Sequence, residues 1–147
     1  MLTLSDNGCP LTLKVYFYRF KVPLMKIEVS NGEIADKLTI TELKLERITD
    51  PEKLRNLKKE HLILEEALAS FMIKSDPLYL DLYRVNAELW DIEDHIRDLE
   101  RRKDFGPVFI ETARAVYFKN DLRSEIKRQI NISTGSGLVE EKSYEKY

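Results

Sequence analysis

The chain has 147 residues, 43% apolar and 34% charged, with 24 basic against 26 acidic side chains. That is enough for one hydrophobic core without covalent staples, and a net charge of −2 gives no excess of either sign to demand nucleic acid or an anionic membrane. A single cysteine, Cys9, excludes an intrachain disulfide and a thiolate zinc site. No apolar run nears the roughly 20 residues of a membrane span and no charged-then-apolar leader suggests secretion, so a soluble, cytoplasmic protein is expected.

Residues 1–24 differ from the rest. Leu11, Leu13, Val15 and Phe17 alternate with Thr12, Lys14, Tyr16 and Tyr18, a period of two that predicts a strand. A second extended piece, Lys26 to Val29, sets Ile27 and Val29 on one side and could pair with the first across Lys21–Pro23. Residues 1–24 therefore read as a β-like N-terminal extension. Met25 opens the segment patterned for helices and serves equally well as a start, and the residues leave both starts open.

Helix boundaries follow from capping chemistry. Ser30-Asn31-Gly32-Glu33 fits the capping box, in which the serine hydroxyl and the glutamate each satisfy a free backbone N–H. Thr49-Asp50-Pro51-Glu52 and Ser75-Asp76-Pro77 are matched starts, with Asp suited to the cap and Pro to the first turn. Helices are predicted over 33–48, 51–73, 77–102 and from 107 to 131 or thereabouts. Thr134-Gly135-Ser136-Gly137 ends the last one, leaving 25–132 as the helical bundle and 133–147 as a polar tail, frayed over Glu140–Tyr147. The predicted fold class is all-α, a four-helix antiparallel bundle of long hairpins.

Apolar residues recur at helical spacing in each segment. Leu54, Leu57, His61, Leu64, Leu68 and Phe71 form the stripe of the second helix; Leu78, Leu82, Val85, Leu89, Ile92, Ile96 and Leu99 form that of the third. Joined by a short break, the two are expected to pack face to face, placing His61 opposite Leu89–Trp90. The first helix is two-sided, with Ile34, Leu38, Leu45 and Ile48 on one face and Ile40 and Leu43 on another. In the fourth, Phe109, Ala113 and Val116 lead by the same rule to Asn120, Arg123 and Lys127 before Ile130. Either a polar groove runs there, or the contact face rotates onto a competing stripe of Ala115, Phe118, Leu122 and Ile126; that second stripe favours rotation. Two-sided helices are central in a bundle or shared between subunits, and a homodimer is expected.

Catalytic signals are sparse. His61, a histidine inside an apolar stripe, reads first as a hydrogen-bonded core residue and second as a ligand or proton acceptor; no metal spacing surrounds it. His95 follows Asp91 by one turn. The carboxylates Glu88, Asp91, Glu93, Asp94, Asp98 and Glu100 could hold a divalent metal, but Glu93–Arg97 and Asp98–Arg102 have the order of helical ion pairs, with Lys53, Arg55, Lys58 and Lys59 expected nearby. No phosphate loop, nucleophile elbow or zinc-protease motif is present, and nothing calls for a cofactor. Acidic Glu111, Asp121 and Glu125 interrupt the basic residues Arg114, Lys119, Arg123, Lys127 and Arg128, so nucleic-acid binding is not favoured.

The stretches 26–40 (KIEVSNGEIADKLTI), 89–97 (LWDIEDHIR) and 120–131 (NDLRSEIKRQIN) resemble an uncharacterised family of short all-helical proteins found in bacteria and phages, a domain of unknown function. The resemblance spans Lys26 to Tyr144 and implies a start near Met25, but carries no activity, cofactor or catalytic residue. Its shared words hold residues too polar for simple packing: Ser30, Glu33, Asp36, Lys37, Glu93, Asp94, Arg97, Arg114, Asn120, Asp121, Arg123 and Lys127. They are the candidates for a polar groove or for a network that holds the bundle in register. The function expected is a small helical interaction or oligomerisation module, acting on a second copy or a partner protein. The alternative is a metal-dependent helical nucleotide pyrophosphohydrolase, since Glu88 and Asp91 resemble half of that group's paired motif; convergence of carboxylates 88, 91 and 94 would favour it. In a third, chorismate-mutase-like alternative, Arg97, Arg123 and Lys127 would clamp a ligand's carboxylates.

Overall fold

A computed structural model describes residues 25–143 as four helices: α1 (Asn31–Arg47), α2 (Pro51–Ala69), α3 (Pro77–Arg102) and α4 (Pro107–Ser133). The strand expected at residues 11–18 lies outside the described residues. Lys26 to Val29 is irregular rather than a strand, and no strand occurs among the described residues. None of the four helices is long and apolar enough to cross a membrane.

The starts follow local chemistry. Asp50 accepts from the Lys53 N–H at 2.9 Å and Asp76 from the Leu78 N–H at 2.9 Å, each with Pro in the first turn. At Ser30 only half of the capping box forms. Its hydroxyl accepts from the Glu33 N–H at 3.3 Å, but the Glu33 carboxylate reaches instead to Lys127 on α4. The α2 helix stops at Ala69, four residues short of the expectation, where the Ser70 hydroxyl bonds back to the Ala67 carbonyl. Lys103 closes α3 in the left-handed conformation (φ 57°), donating its N–H back to the carbonyls of the last turn.

Which helix packs on which is the main correction. The α1 helix touches all three others, and α3 pairs most extensively with α4, while no Cα of α2 comes within 8 Å of one in α3 or α4. The face-to-face pairing expected of α2 and α3 does not form. Periodicity marks an apolar face without naming its neighbour, and residues 70–76 give the chain room to place α1 between the two. His61 therefore meets Glu42 of α1, not Leu89–Trp90, and among the described residues the α3 carboxylates pair with α1, α3 and α4. The two-sidedness of α1 is explained by its central position.

Direction follows from the paired residues. Gly32, Glu33 and Asp36 meet Asn131, Lys127 and Arg123 in turn, so α1 and α4 are antiparallel. On α3, Tyr79 and Tyr83 meet Glu42 and Glu46 of α1, and Asn86 meets Asp36 and Thr39. The core lies where α1, α3, the end of α2 and the second half of α4 meet: Ala35, Leu38, Leu68, Met72, Tyr79, Leu82, Val85, Leu89, Ile126 and Ile130. After α4, Glu140 pairs with Lys127 and Glu141 with Arg128.

Candidate functional site

The contact between α1 and α4 is polar at its centre. Asp36 is 2% exposed among apolar neighbours, a position where an unpaired carboxylate would be costly. Arg123 answers with two parallel bonds, Nε to Oδ1 at 2.7 Å and Nη2 to Oδ2 at 2.5 Å, and Asn86 of α3 donates its amide N–H to Oδ1 at 2.9 Å. Lys127 sits 4.0 Å from the same carboxylate and bonds Glu33 at 2.6 Å and Glu140 at 3.0 Å. The Asn120, Arg123 and Lys127 line thus faces inward onto α1, and the contact face does not rotate as expected. The carboxylates at Glu33 and Asp36 supply the partners that keep it in place.

Backbone approach makes this packing possible. A Cβ on Gly32 would lie 2.5 Å from the Lys127 carbonyl oxygen, closer than any side chain tolerates, and the Gly32 N–H donates to Asn131 Oδ1 at 2.6 Å. Electrostatics follow from the pairing. The hydrogen bonds to Asp36 raise the Arg123 pKa against the opposing effect of burial. At Lys127 burial is the largest influence and acts downward, but the bonds to Glu33 and Glu140 and the field of Asp36 together outweigh it and raise the pKa.

Above this cluster, between α1, α3 and α4, opens a groove of about 340 Å³. Ile40, Leu43 and Leu89 give it apolar walls, and Trp90 adds an aromatic one. Of the residues singled out from sequence, Glu93, Asp94, Arg97, Asn120 and Arg123 line it together. Glu93 and Arg97 pair at 2.9 Å, and the Trp90 indole N–H donates to Asp94 at 3.0 Å. The others lie elsewhere. Lys37 pairs with Glu60 of α2, Arg114 lies over the Phe118 ring, and Asp121 is on the exposed side of α4.

Asn86 and Thr39 complete the cluster and were not singled out in the sequence. The Asn86 amide bridges Asp36 and the Thr39 hydroxyl, both at 2.9 Å. Its signal was available: a polar residue beside Val85 and one turn before Leu89, on the buried side of α3.

His61 belongs to a second, separate cluster. Its ring nitrogens lie 3.6 Å from Glu42 and 3.7 Å from Glu65, Lys74 bonds both carboxylates, and the Tyr79 hydroxyl donates to Glu42 at 2.7 Å. The hydrogen bond and charge of Lys74 hold the Glu65 carboxyl below its usual range. Burial and then the bond to Glu42 push Tyr79 up, and burial with the Glu46 bond pushes Tyr83 up to about 12.

The chemistry required by the two enzymatic alternatives is not assembled. Glu88 pairs with Lys119 and Asp91 with Arg47, while Asp94 holds Trp90, so the three carboxylates do not meet. Among the described residues no three His, Cys, Asp or Glu side chains gather closely enough to hold a metal ion. Arg123 does clamp a carboxylate, but it is the protein's own Asp36, and Lys127 is taken up by Glu33 and Glu140.

Fold and site together define a small all-helical protein whose central helix is locked to α4 by a buried ionic cluster. The chain belongs to the family of unknown function DUF6165, which matches residues 25–147. No curated protein and no solved structure matches it.

Proposed function

We propose that this protein is a helical interaction module that associates through the outer face of α4, with a second copy of itself as partner. One stripe carries the proposal. Val108, Ala115, Phe118, Leu122 and Ile126 fall along one side of α4. Ile126 enters the core, whereas Phe118 is 42% and Leu122 44% exposed. An apolar stripe buried at one end and partly exposed along the rest is suited to receive a partner chain. A second copy in a two-fold arrangement would present the same stripe, as an isologous interface requires.

The buried ionic cluster supports this role by holding α4 rigidly, so that the stripe is presented without an ordering cost on association. Light scattering across a concentration series is the test. The expected result is a species of twice the 17.3 kDa chain mass that dissociates on dilution. A single-chain mass at every concentration up to about 1 mM overturns the proposal.

A further inference from the structure

We propose that the groove between α1, α3 and α4 binds a small, uncharged, polyhydroxylated ligand of the sugar class. Its volume of about 340 Å³ falls at the small end of ligand sites, and its mixed lining of an aromatic ring and a few convergent polar groups is typical of them.

A polar atom at the groove floor points to a ligand. Asn86 is 5% exposed and lines the groove. Its amide N–H groups are used on Asp36 and Thr39, while its carbonyl oxygen accepts no hydrogen bond among the described residues. That orientation follows from its partners. The Asp36 carboxylate can only accept, and the Thr39 hydroxyl already donates to the Asp36 carbonyl at 2.8 Å. Its carbonyl oxygen thus keeps acceptor capacity for a donor from outside the chain, whether water or ligand.

The lining then selects the class. Glu93 and Asp94 offer only acceptors, whereas Arg97 and Arg123 offer only donors, and they sit around the same space. A phosphate or dicarboxylate would set its acceptors against the carboxylates. A polyamine would set its donors against the guanidiniums. A hydroxyl donates and accepts, so a ring of hydroxyls satisfies both kinds around its rim. The salt bridge of Glu93 with Arg97 and that of Asp36 with Arg123 neutralise those four charges, while Asp94, bonded to the Trp90 indole, keeps a carboxylate that accepts from hydroxyls and repels an anionic guest. Trp90 supplies the wall for the apolar C–H face of such a ring. Its indole is held by Asp94 and by the Arg47 guanidinium 5.4 Å from its centroid.

Trp90 is the only tryptophan in the chain, so its emission reports the groove directly. The experiment titrates the full chain with glucose, galactose, mannose, N-acetylglucosamine and myo-inositol up to about 10 mM, above the dissociation constant of a weak millimolar site. Inorganic phosphate, succinate and spermidine serve as comparisons. The expected result is a saturable change with at least one neutral probe and none with the comparisons. Asn120→Ala and, separately, Arg97→Ala should weaken that binding by about tenfold, the loss of one good hydrogen bond, while Lys37→Ala on the other side of α1 leaves it unchanged. No saturable change from any neutral probe overturns the proposal, as does a change produced by phosphate, succinate or spermidine instead. Equal affinity in all three variants overturns the location. The groove is formed within one chain, so this outcome is independent of self-association.

Discussion

Replacing Arg123 by methionine isolates the energetics of the buried cluster. Asp36 is 2% exposed, and the substitution removes two of its three close hydrogen bonds, leaving Asn86 at 2.9 Å and Lys127 at 4.0 Å. Removing one partner of a buried pair costs about 3–5 kcal/mol, because the remaining charge stays in the interior. Lys127 remains near, and the Arg123 side chain is itself 28% exposed, so the low end applies, about 3 kcal/mol. That is a large share of a domain stability of about 5–15 kcal/mol and about 6–12 °C in Tm. Urea unfolding followed by far-ultraviolet circular dichroism measures it. Adding Asp36→Asn to the Arg123→Met chain removes the stranded charge and should recover at least about half of the loss. A cost below about 1 kcal/mol for Arg123→Met, the range of a solvated surface pair, would refute the buried pairing.

Three further outcomes follow from the same structure. Gly32→Ala pushes a Cβ against the Lys127 backbone carbonyl and should destabilise by about 1–3 kcal/mol in the same unfolding assay; a neutral effect would contradict the close approach of α1 to α4. Phe118→Glu combined with Leu122→Glu should yield a single-chain mass by light scattering with an unaltered helical spectrum, and a persistent dimer would place the interface elsewhere. Alkaline pH should weaken the fold, because Tyr79 and Tyr83 hold their protons more tightly folded than unfolded. Their contribution is full below pH 10.0, the ordinary tyrosine value, and falls as pH rises toward the Tyr83 value of about 12. Lys127, whose pKa is raised above 10.5, acts with the same sign. Stability that stays flat from about pH 9 to about pH 11 would contradict it.

Local features of this fold were legible and relational ones were not. The Asp50-Pro51 and Asp76-Pro77 starts are set by residues within one turn, so they could be read directly. The ion pairs Glu93–Arg97 and Asp98–Arg102 are equally local, and both form, at 2.9 Å. The partner of α2 was not legible, because its stripe would suit α1 or α3 equally. In the site, the polar run Asn120, Arg123 and Lys127 could be seen, but not that Glu33 and Asp36 would answer it across 87 or more positions. Long-range complementarity of charge decided against rotation of α4 there. Asn86 escaped notice because its neighbours Val85 and Leu89 satisfy the stripe by themselves.

The face used for association is the central functional claim, and hydroxyl-radical footprinting tests it most directly by reporting side-chain accessibility along the whole surface. Leu62 and Ile63 on α2, 65% and 66% exposed, serve as internal references for apolar residues outside the proposed interface. At high protein concentration Phe118 and Leu122 should become protected while the α2 pair is labelled as strongly as at low concentration. Equal labelling of Phe118 and Leu122 at both concentrations, or protection of the α2 pair instead, would contradict the assignment of the interface to α4.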